Sequence, residues 1–311
     1  MIEGGGLGVY RPEEVGPMSV QVPNGVVDIA VADEAEAVEA AKRYLSYFQG
    51  DVKDWECADQ RLLRHAIPEN RLRVYDIRKL IETMADTDSL LELRAGFGLA
   101  MVTAFARIEG HPVGIVANNP THLSGAIDSD AADKAARFMK LCDAFNIPLV
   151  MLCDTPGIMV GPEAEKDGLA RHSARMFLIG ASLTVPFFLV ILRKAYGLGG
   201  QAMGGGTHNL PSVTVAWPTS EFGGMGLEGQ VKLGHIATLE AIEDPAERQA
   251  MYEKLVEQAY DRGQGLNAGH VLEVDDVIDP ADTRRWVIGG LSGTAPARSN
   301  RTDKKICIDA W

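Results

Sequence analysis

Twelve residues, Arg193-Lys194-Ala195-Tyr196-Gly197-Leu198-Gly199-Gly200-Gln201-Ala202-Met203-Gly204, carry the chemically most suggestive spacing in the chain. The apolar run at 185–192 stands directly before them and reads as a strand. The chain then turns sharply through glycines. Glycine takes backbone angles that other residues avoid and lets a ligand approach the main chain with no Cβ in the way. A short helix starting near Gly200 would turn free amides outward, and its dipole would favour negative charge there. Amides aimed in this way are what an oxyanion hole requires. Two other readings fit the same residues. The glycines could form a turn with no catalytic part. Gly197-Leu198-Gly199-Gly200-Gln201-Ala202 also matches the dinucleotide fingerprint G-x-G-x-x-A after a strand. Against the fingerprint, Gly204-Gly205-Gly206 would stop the helix after about two turns. The next strand, 213–217, closes on Pro218-Thr219 with no acid placed to hold a ribose.

Other candidates are thinner. Asp154, at a strand end before Pro156-Gly157, reads as a turn cap or as a functional acid. His172, beside Arg171, reads as a hydrogen-bonded structural histidine or as a contact to substrate. Asn118-Asn119-Pro120 forms a turn or an active-site rim. Arg193 and Lys194 hold a carboxylate or phosphate, or cap a solvated strand end. His208 has no second His, Cys or acid beside it at metal-ligand spacing, so no metal is expected in the chain.

Positioning these residues requires a layered α/β scaffold. Helical periodicity follows Asp33, through Val38, Ala41, Leu45 and Phe48. Residues 51–74 read as a connector and 76–81 as a short helix. Residues 101–108 and 113–117 around Glu109-Gly110 read as a hairpin. A helix capped by Asp128 or Ser129 puts Ala135, Phe138, Met139 and Cys142 on one face. Strands are expected at 148–153 and 185–192, with a helix at 168–180 between them. Asp244-Pro245-Ala246-Glu247 and Asp279-Pro280-Ala281-Asp282 each mark a helix start, with the acid as cap and proline in the first turn. The tail from residue 292 reads as flexible.

Composition narrows the class. The chain has 311 residues, 46% of them hydrophobic, which excludes wholesale disorder. A net charge of −13 would repel nucleic acid and anionic lipid, so neither is an expected partner. Cys57, Cys142, Cys153 and Cys307 fit neither a zinc site nor a compact disulfide framework. The longest apolar run is far too short to span a bilayer, and no secretory leader is visible. The expectation is a soluble, cytoplasmic protein.

Several collinear blocks resemble one family. They are Tyr75-Asp76-Ile77-Arg78-Lys79, Gly114-Ile115-Val116-Ala117-Asn118-Asn119-Pro120, Lys134-Ala135-Ala136-Arg137-Phe138 and Cys142-Asp143-Ala144-Phe145-Asn146-Ile147-Pro148. Further along come Asp154-Thr155-Pro156-Gly157, Arg171-His172, Arg193-Lys194-Ala195-Tyr196-Gly197, Ala216-Trp217-Pro218-Thr219, Met225-Gly226-Leu227-Glu228-Gly229 and Val277-Ile278-Asp279-Pro280. Across about residues 36–290 the chain resembles the C-terminal domain of the carboxyltransferase (beta) subunit of biotin-dependent acyl-CoA carboxylases, of the propionyl-CoA carboxylase type.

The resemblance implies a crotonase-like ββα spiral fold of the ClpP/crotonase type. It also implies carboxyl transfer between carboxybiotin and the α-carbon of an acyl-CoA, with backbone amides stabilising the enolates of biotin and thioester. The biotin-side pair falls on Leu198 and Gly199. Tyr196, Gly197, Gly200, Gln201 and Arg193 are the expected substrate-binding residues, Gln201 at a position that lines the acyl pocket. The family usually carries glycine then alanine at the amide pair, whereas Leu198 is bulky and narrows the biotin channel. Residues 1–32 are expected to be the remnant of a preceding N-terminal carboxyltransferase domain, 33–291 the C-terminal domain and 292–311 a flexible tail.

No biotin-attachment signature occurs, because Ala202-Met203 is followed by Gly204. Biotin is therefore expected on a separate carrier, with a biotin carboxylase subunit, an N-terminal carboxyltransferase partner and a homo- or hetero-oligomer around it. Two alternatives stand beside this reading: an acyl-CoA decarboxylase subunit of the sodium-pump type, and a non-catalytic assembly subunit.

Overall fold

In the computed structural model, residues 2–293 and 307–308 are described. Ahead of the sheet lie α1 (Met18–Gln21), α2 (Glu34–Ser46) and α3 (Ile77–Met84). The hairpin region follows as β1 (Leu91–Leu93), β2 (Met101–Ile108) and β3 (His111–Asn118). Helix and strand then alternate: α4 (Ser129–Ala144), β4 (Leu149–Thr155), α5 (Pro162–Lys166), α6 (Leu169–Ser182), β5 (Phe187–Tyr196), α7 (Gly197–Met203) and β6 (Val213–Ala216). The last part holds β7 (Glu221–Gly223), α8 (Leu227–Gly234), α9 (Ile236–Glu240), α10 (Pro245–Gly263), α11 (Gly265–His270), β8 (Asp276–Val277) and α12 (Thr283–Gly293).

Helix starts follow the aspartates. Asp33, Asp76, Asp128 and Asp244 each accept backbone N–H bonds at the first turns of α2, α3, α4 and α10, satisfying amides that have no intrahelical partner. Asp279 caps a single 3₁₀ turn that runs into α12, so the second Asp-Pro signal marks a two-part helix start.

One sheet runs β1-β2-β3-β4-β5-β6-β8, with β7 paired to the end of β5. The first two pairings are antiparallel and the remainder parallel. Helices cover both faces, which is why β4 and β5 run apolar through residues 149–153 and 187–192 before their polar ends. Along β5, Phe187, Leu189 and Ile191 join the core under α4 and α6, while Phe188, Val190 and Leu192 join the opposite core with α3 and Trp217.

Several boundaries differ from expectation. Strand β5 does not stop at Leu192 but continues through Arg193 and Lys194 to Tyr196, because Arg193 is paired inside the protein. The two- and three-residue strands β1, β7 and β8 carry too little alternation to be visible in sequence. Ser292 and Gly293 close α12 and are not part of a loose tail. The rest of the expected tail, apart from residues 307–308, lies outside the described residues. Residues 2–32 form 3₁₀ turns and α1. They are anchored near their end by Asp28, whose carboxylate lies 2.9 Å from Arg94 and 3.4 Å from Arg137.

Candidate active site

The parallel strands β4 and β5 end side by side, and their continuations meet. Past β5, Gly197 takes a left-handed φ of +52°, and a Cβ there would lie 2.6 Å from the carbonyl oxygen of Gly224. Only glycine fits that turn. Two residues on, Gly199 is buried against Gly157, the residue two beyond β4. A Cβ at Gly199 would stand 2.6 Å from the Gly157 Cα. Two backbones therefore touch directly where α7 begins.

The amides of Leu198 and Gly199 lie in the first turn of α7, where no intrahelical acceptor exists. Neither has a hydrogen-bond acceptor among the described residues. A cleft of about 790 Å³ opens in front of this turn. Residues 156–161 form one wall, 168–171 a second and 224–226 a third, with Tyr196, Gly197 and Leu198 at its base. Leu198 borders the cleft, and its side chain is 60% exposed. Gly199 sits one layer deeper, on Gly157. A neighbouring cavity of about 570 Å³ shares Gly197 and Gly224 and is lined by Gln201, Phe222 and His208.

The expected site residues thus separate. Tyr196, Gly197 and Leu198 border the first cleft, and Gln201 faces the second cavity. Gly199 and Gly200 are buried and line neither opening, Gly199 packed on Gly157 and Gly200 on Ala195. The Tyr196 hydroxyl donates to Glu221 Oε2 at 2.7 Å, and burial plus that carboxylate push the phenol well above its ordinary range. It is not an acid–base group near neutral pH. Arg193 departs most from expectation: its side chain is 4% exposed and its guanidinium pairs with the fully buried Asp154 at 3.0 Å. It touches neither a solvated strand end nor the cleft. Asp154 is neither a turn cap nor a cleft acid, but the buried partner of Arg193.

The smaller candidates are also placed. His172 Nδ1 lies 2.6 Å from Asp133, in keeping with a structural role. Asn119 forms the turn through Thr121, while the Asn118 side chain is buried and accepts from the Asp154 amide at 3.1 Å. His208 lies 3.2 Å from Glu273, and no group of metal-ligating side chains occurs among the described residues. The titratable side chains bordering the first cleft are Glu165, Arg171 and Tyr196. The cleft walls at 156–161 and 224–226 are visible in sequence only as glycine-bearing motifs, with nothing to bring them together.

The carboxyl transferase domain model matches residues 6–305. The chain belongs to the carboxyl transferase family. Its match takes in most of residues 1–32 as well as the sheet. The chain is 35% identical over 294 residues to the carboxyltransferase subunit of a propionyl-CoA carboxylase from Haloferax mediterranei, covering 91% of this chain and 56% of that one. It superposes with TM-score 0.86 and 54% identity on a single-chain, multi-domain long-chain acyl-CoA carboxylase, covering 93% of this chain and 28% of the other. It superposes equally well, at 35% identity, on the transcarboxylase 12S subunit, whose structure is described as a hexamer, covering 98% of this chain and 60% of that one. The chain spans about half the length of the curated relatives it matches. The mixed sheet with its helices is the crotonase-like carboxyltransferase fold. No helix among the described residues is long and apolar enough to cross a membrane.

Proposed function

We propose that this chain supplies the biotin side of a carboxyltransferase site, moving a carboxyl group between carboxybiotin on a separate carrier protein and the α-carbon of an acyl-CoA. The observation that carries the reading is the pair of unpartnered amides at Leu198 and Gly199 beneath a largely apolar cleft. The cleft fits a neutral, mostly apolar ring system whose one strong acceptor is a ureido oxygen. When bound, biotin supplies a nitrogen that gives up the carboxyl group and takes the proton from the acyl α-carbon.

The chain's own task is electrostatic. Amides fixed before the reaction need no reorganisation as negative charge builds on the ureido oxygen, and loss of one such donor typically costs about 2.7–4 kcal/mol of barrier. No side-chain base is required at the reacting atoms, in keeping with a cleft that lacks a histidine or a buried carboxylate. Residues 156–161 and Leu198 border the place that oxygen would take. Gln201, in the adjoining cavity, is assigned to the acyl side.

The rest of the site comes from an N-terminal carboxyltransferase half in an oligomer, with biotin delivered by a carrier subunit and recharged by a biotin carboxylase. The test replaces one amide. Leu198→Pro removes a single donor in the first helical turn, where proline is tolerated. In the chain assembled with an N-terminal half, carboxyl transfer to free biotin should fall on the order of 100- to 1,000-fold, as for loss of one oxyanion donor. Unchanged turnover in Leu198→Pro refutes the amide role. Absence of turnover in the assembled wild type makes the chain an assembly subunit.

A further inference from the structure

The register of β4 against β5 breaks just before the site. Cys153 pairs with Ile191, and the next pair is Thr155 with Ala195, so β5 carries two residues more than β4 over the same span. Bulges of this kind bend a strand and re-aim the residues beyond it, and they need something to hold them. The extra residues of β5 are drawn from Leu192, Arg193 and Lys194, and facing them from β4 is Asp154, fully buried.

The Asp154 carboxylate closes the bulge from both sides. Its Oδ2 accepts from Arg193 Nε at 3.0 Å and from the Tyr75 hydroxyl at 2.9 Å. Its Oδ1 accepts from the Lys194 backbone amide at 3.2 Å and lies 3.6 Å from the Lys194 ammonium. Arg193 extends the tie outward, donating to the carbonyls of Arg73 at 2.8 Å and Arg71 at 3.2 Å. The partners of this carboxylate come from two chain segments, Tyr75 ahead of α3 and Arg193 with Lys194 in β5, and Asp154 does not line the cleft.

This clamp holds the approach to the amide pair. Three residues after Asp154 comes Gly157; five after Lys194 comes Gly199; and those two glycines are the backbones in direct contact. Both chains that meet beneath the cleft therefore leave a common fixed point, and a change in the bulge shifts one glycine against the other.

We propose that Asp154, with Arg193 and Tyr75 as its donors, is a positioning residue that sets the direction of the Leu198 and Gly199 amides. The proposal rests on the oxyanion role of those amides and adds a group that touches neither substrate nor carrier. A misplacement of about 1 Å at such a site is enough to cost on the order of 100-fold in rate.

Three variants in the assembled enzyme test it. Asp154→Asn keeps the shape but leaves the Arg193 charge without a partner, so lost stability could lower its activity. The double variant Asp154→Asn with Arg193→Gln removes that stranded charge, and Tyr75→Phe removes a single donor with the ion pair intact. The expected result is a kcat lowered on the order of 100-fold in both Asp154 variants and by a smaller factor in Tyr75→Phe. KM values for free biotin and acyl-CoA should stay within about twofold, since binding contacts are untouched. A merely structural Asp154 predicts the opposite for the double variant, with melting temperature and kcat recovering together.

Leu198→Pro in the same assay separates the two claims. If it abolishes transfer while the double variant has wild-type kcat, the amide reading survives and the clamp is overturned. Should the wild type itself not turn over, the crystal structure of the double variant decides: a displaced turn at 197–200 supports the clamp, and an unmoved one overturns it.

Discussion

A methyl group at Gly197 meets two obstacles at once. The backbone angle of +52° disfavours any side chain, and the added carbon would sit 2.6 Å from the Gly224 carbonyl oxygen, a main-chain atom that cannot swing aside. Left-handed strain of about 1–2 kcal/mol adds to an overpacking cost of about 1–3 kcal/mol. Gly197→Ala should therefore lower the urea midpoint of the chain by an amount equal to roughly 2–5 kcal/mol, the sum of those two costs. The next residue gives the contrast. Leu198 has a side chain 60% exposed, so Leu198→Ala should change stability by no more than about 0.5 kcal/mol while leaving the amide in place. Paired denaturant melts of the two variants read this directly. Equal losses at both positions would show that the turn is held by the leucine side chain and not by the fit of glycine backbone to its neighbours.

At the scale of elements, α4 carries an unusual buried group. Lys134 points from its first half toward the start of β2, where its ammonium donates to the carbonyls of Phe97 at 2.9 Å and Met101 at 2.7 Å. Burial lowers its pKa to about 8. The unfolded chain holds that proton to about 10.4. Between those values the unfolded state binds more protons, so stability rises with pH; below pH 8 both states are charged and the cost of burial is fully present. The rise should approach on the order of 3 kcal/mol, at about 1.36 kcal/mol for each pH unit between the two values. Thermal melts from pH 7 to 10 should show it in the wild type and not in Lys134→Met, and a difference curve flat with pH would disprove it. The same helix illustrates what sequence can reveal. Asp128 and the apolar face of α4 are legible because a cap and a 3.6-residue period are local properties. The extension of β5 to Tyr196 is not, since two cations read as the end of a strand until Asp154, 39 residues away from Arg193, is seen to pair with both of them. The amide turn is legible from its glycines. Its opposing walls come from 156–161 and 224–226, segments with no periodicity to bring them into view.

For the molecule as a whole, the rim of the cleft is the telling feature. Val160, Leu198 and Met225 all border it, exposed by 85%, 60% and 42%, on a chain with net charge −13. Apolar side chains gathered around a cleft are a surface that a partner covers. The chain spans about half the length of its curated relatives, and under the proposed function the occupant to test is an N-terminal carboxyltransferase half. Binding to the folded chain alone stabilises it by mass action, by about 2.7 kcal/mol when the free partner stands at 100 times its dissociation constant. Titrating an N-terminal carboxyltransferase half into this chain should thus raise its melting temperature in a concentration-dependent way. Carboxyl transfer should appear along the same titration, because water then no longer reaches the ureido oxygen at the Leu198 amide and electrostatic stabilisation strengthens as the local dielectric falls. The two curves have to coincide. Full transfer activity from this chain with no partner, or a melting temperature indifferent to the added half, would mean that the apolar rim belongs to the substrate and that the site is complete as it stands.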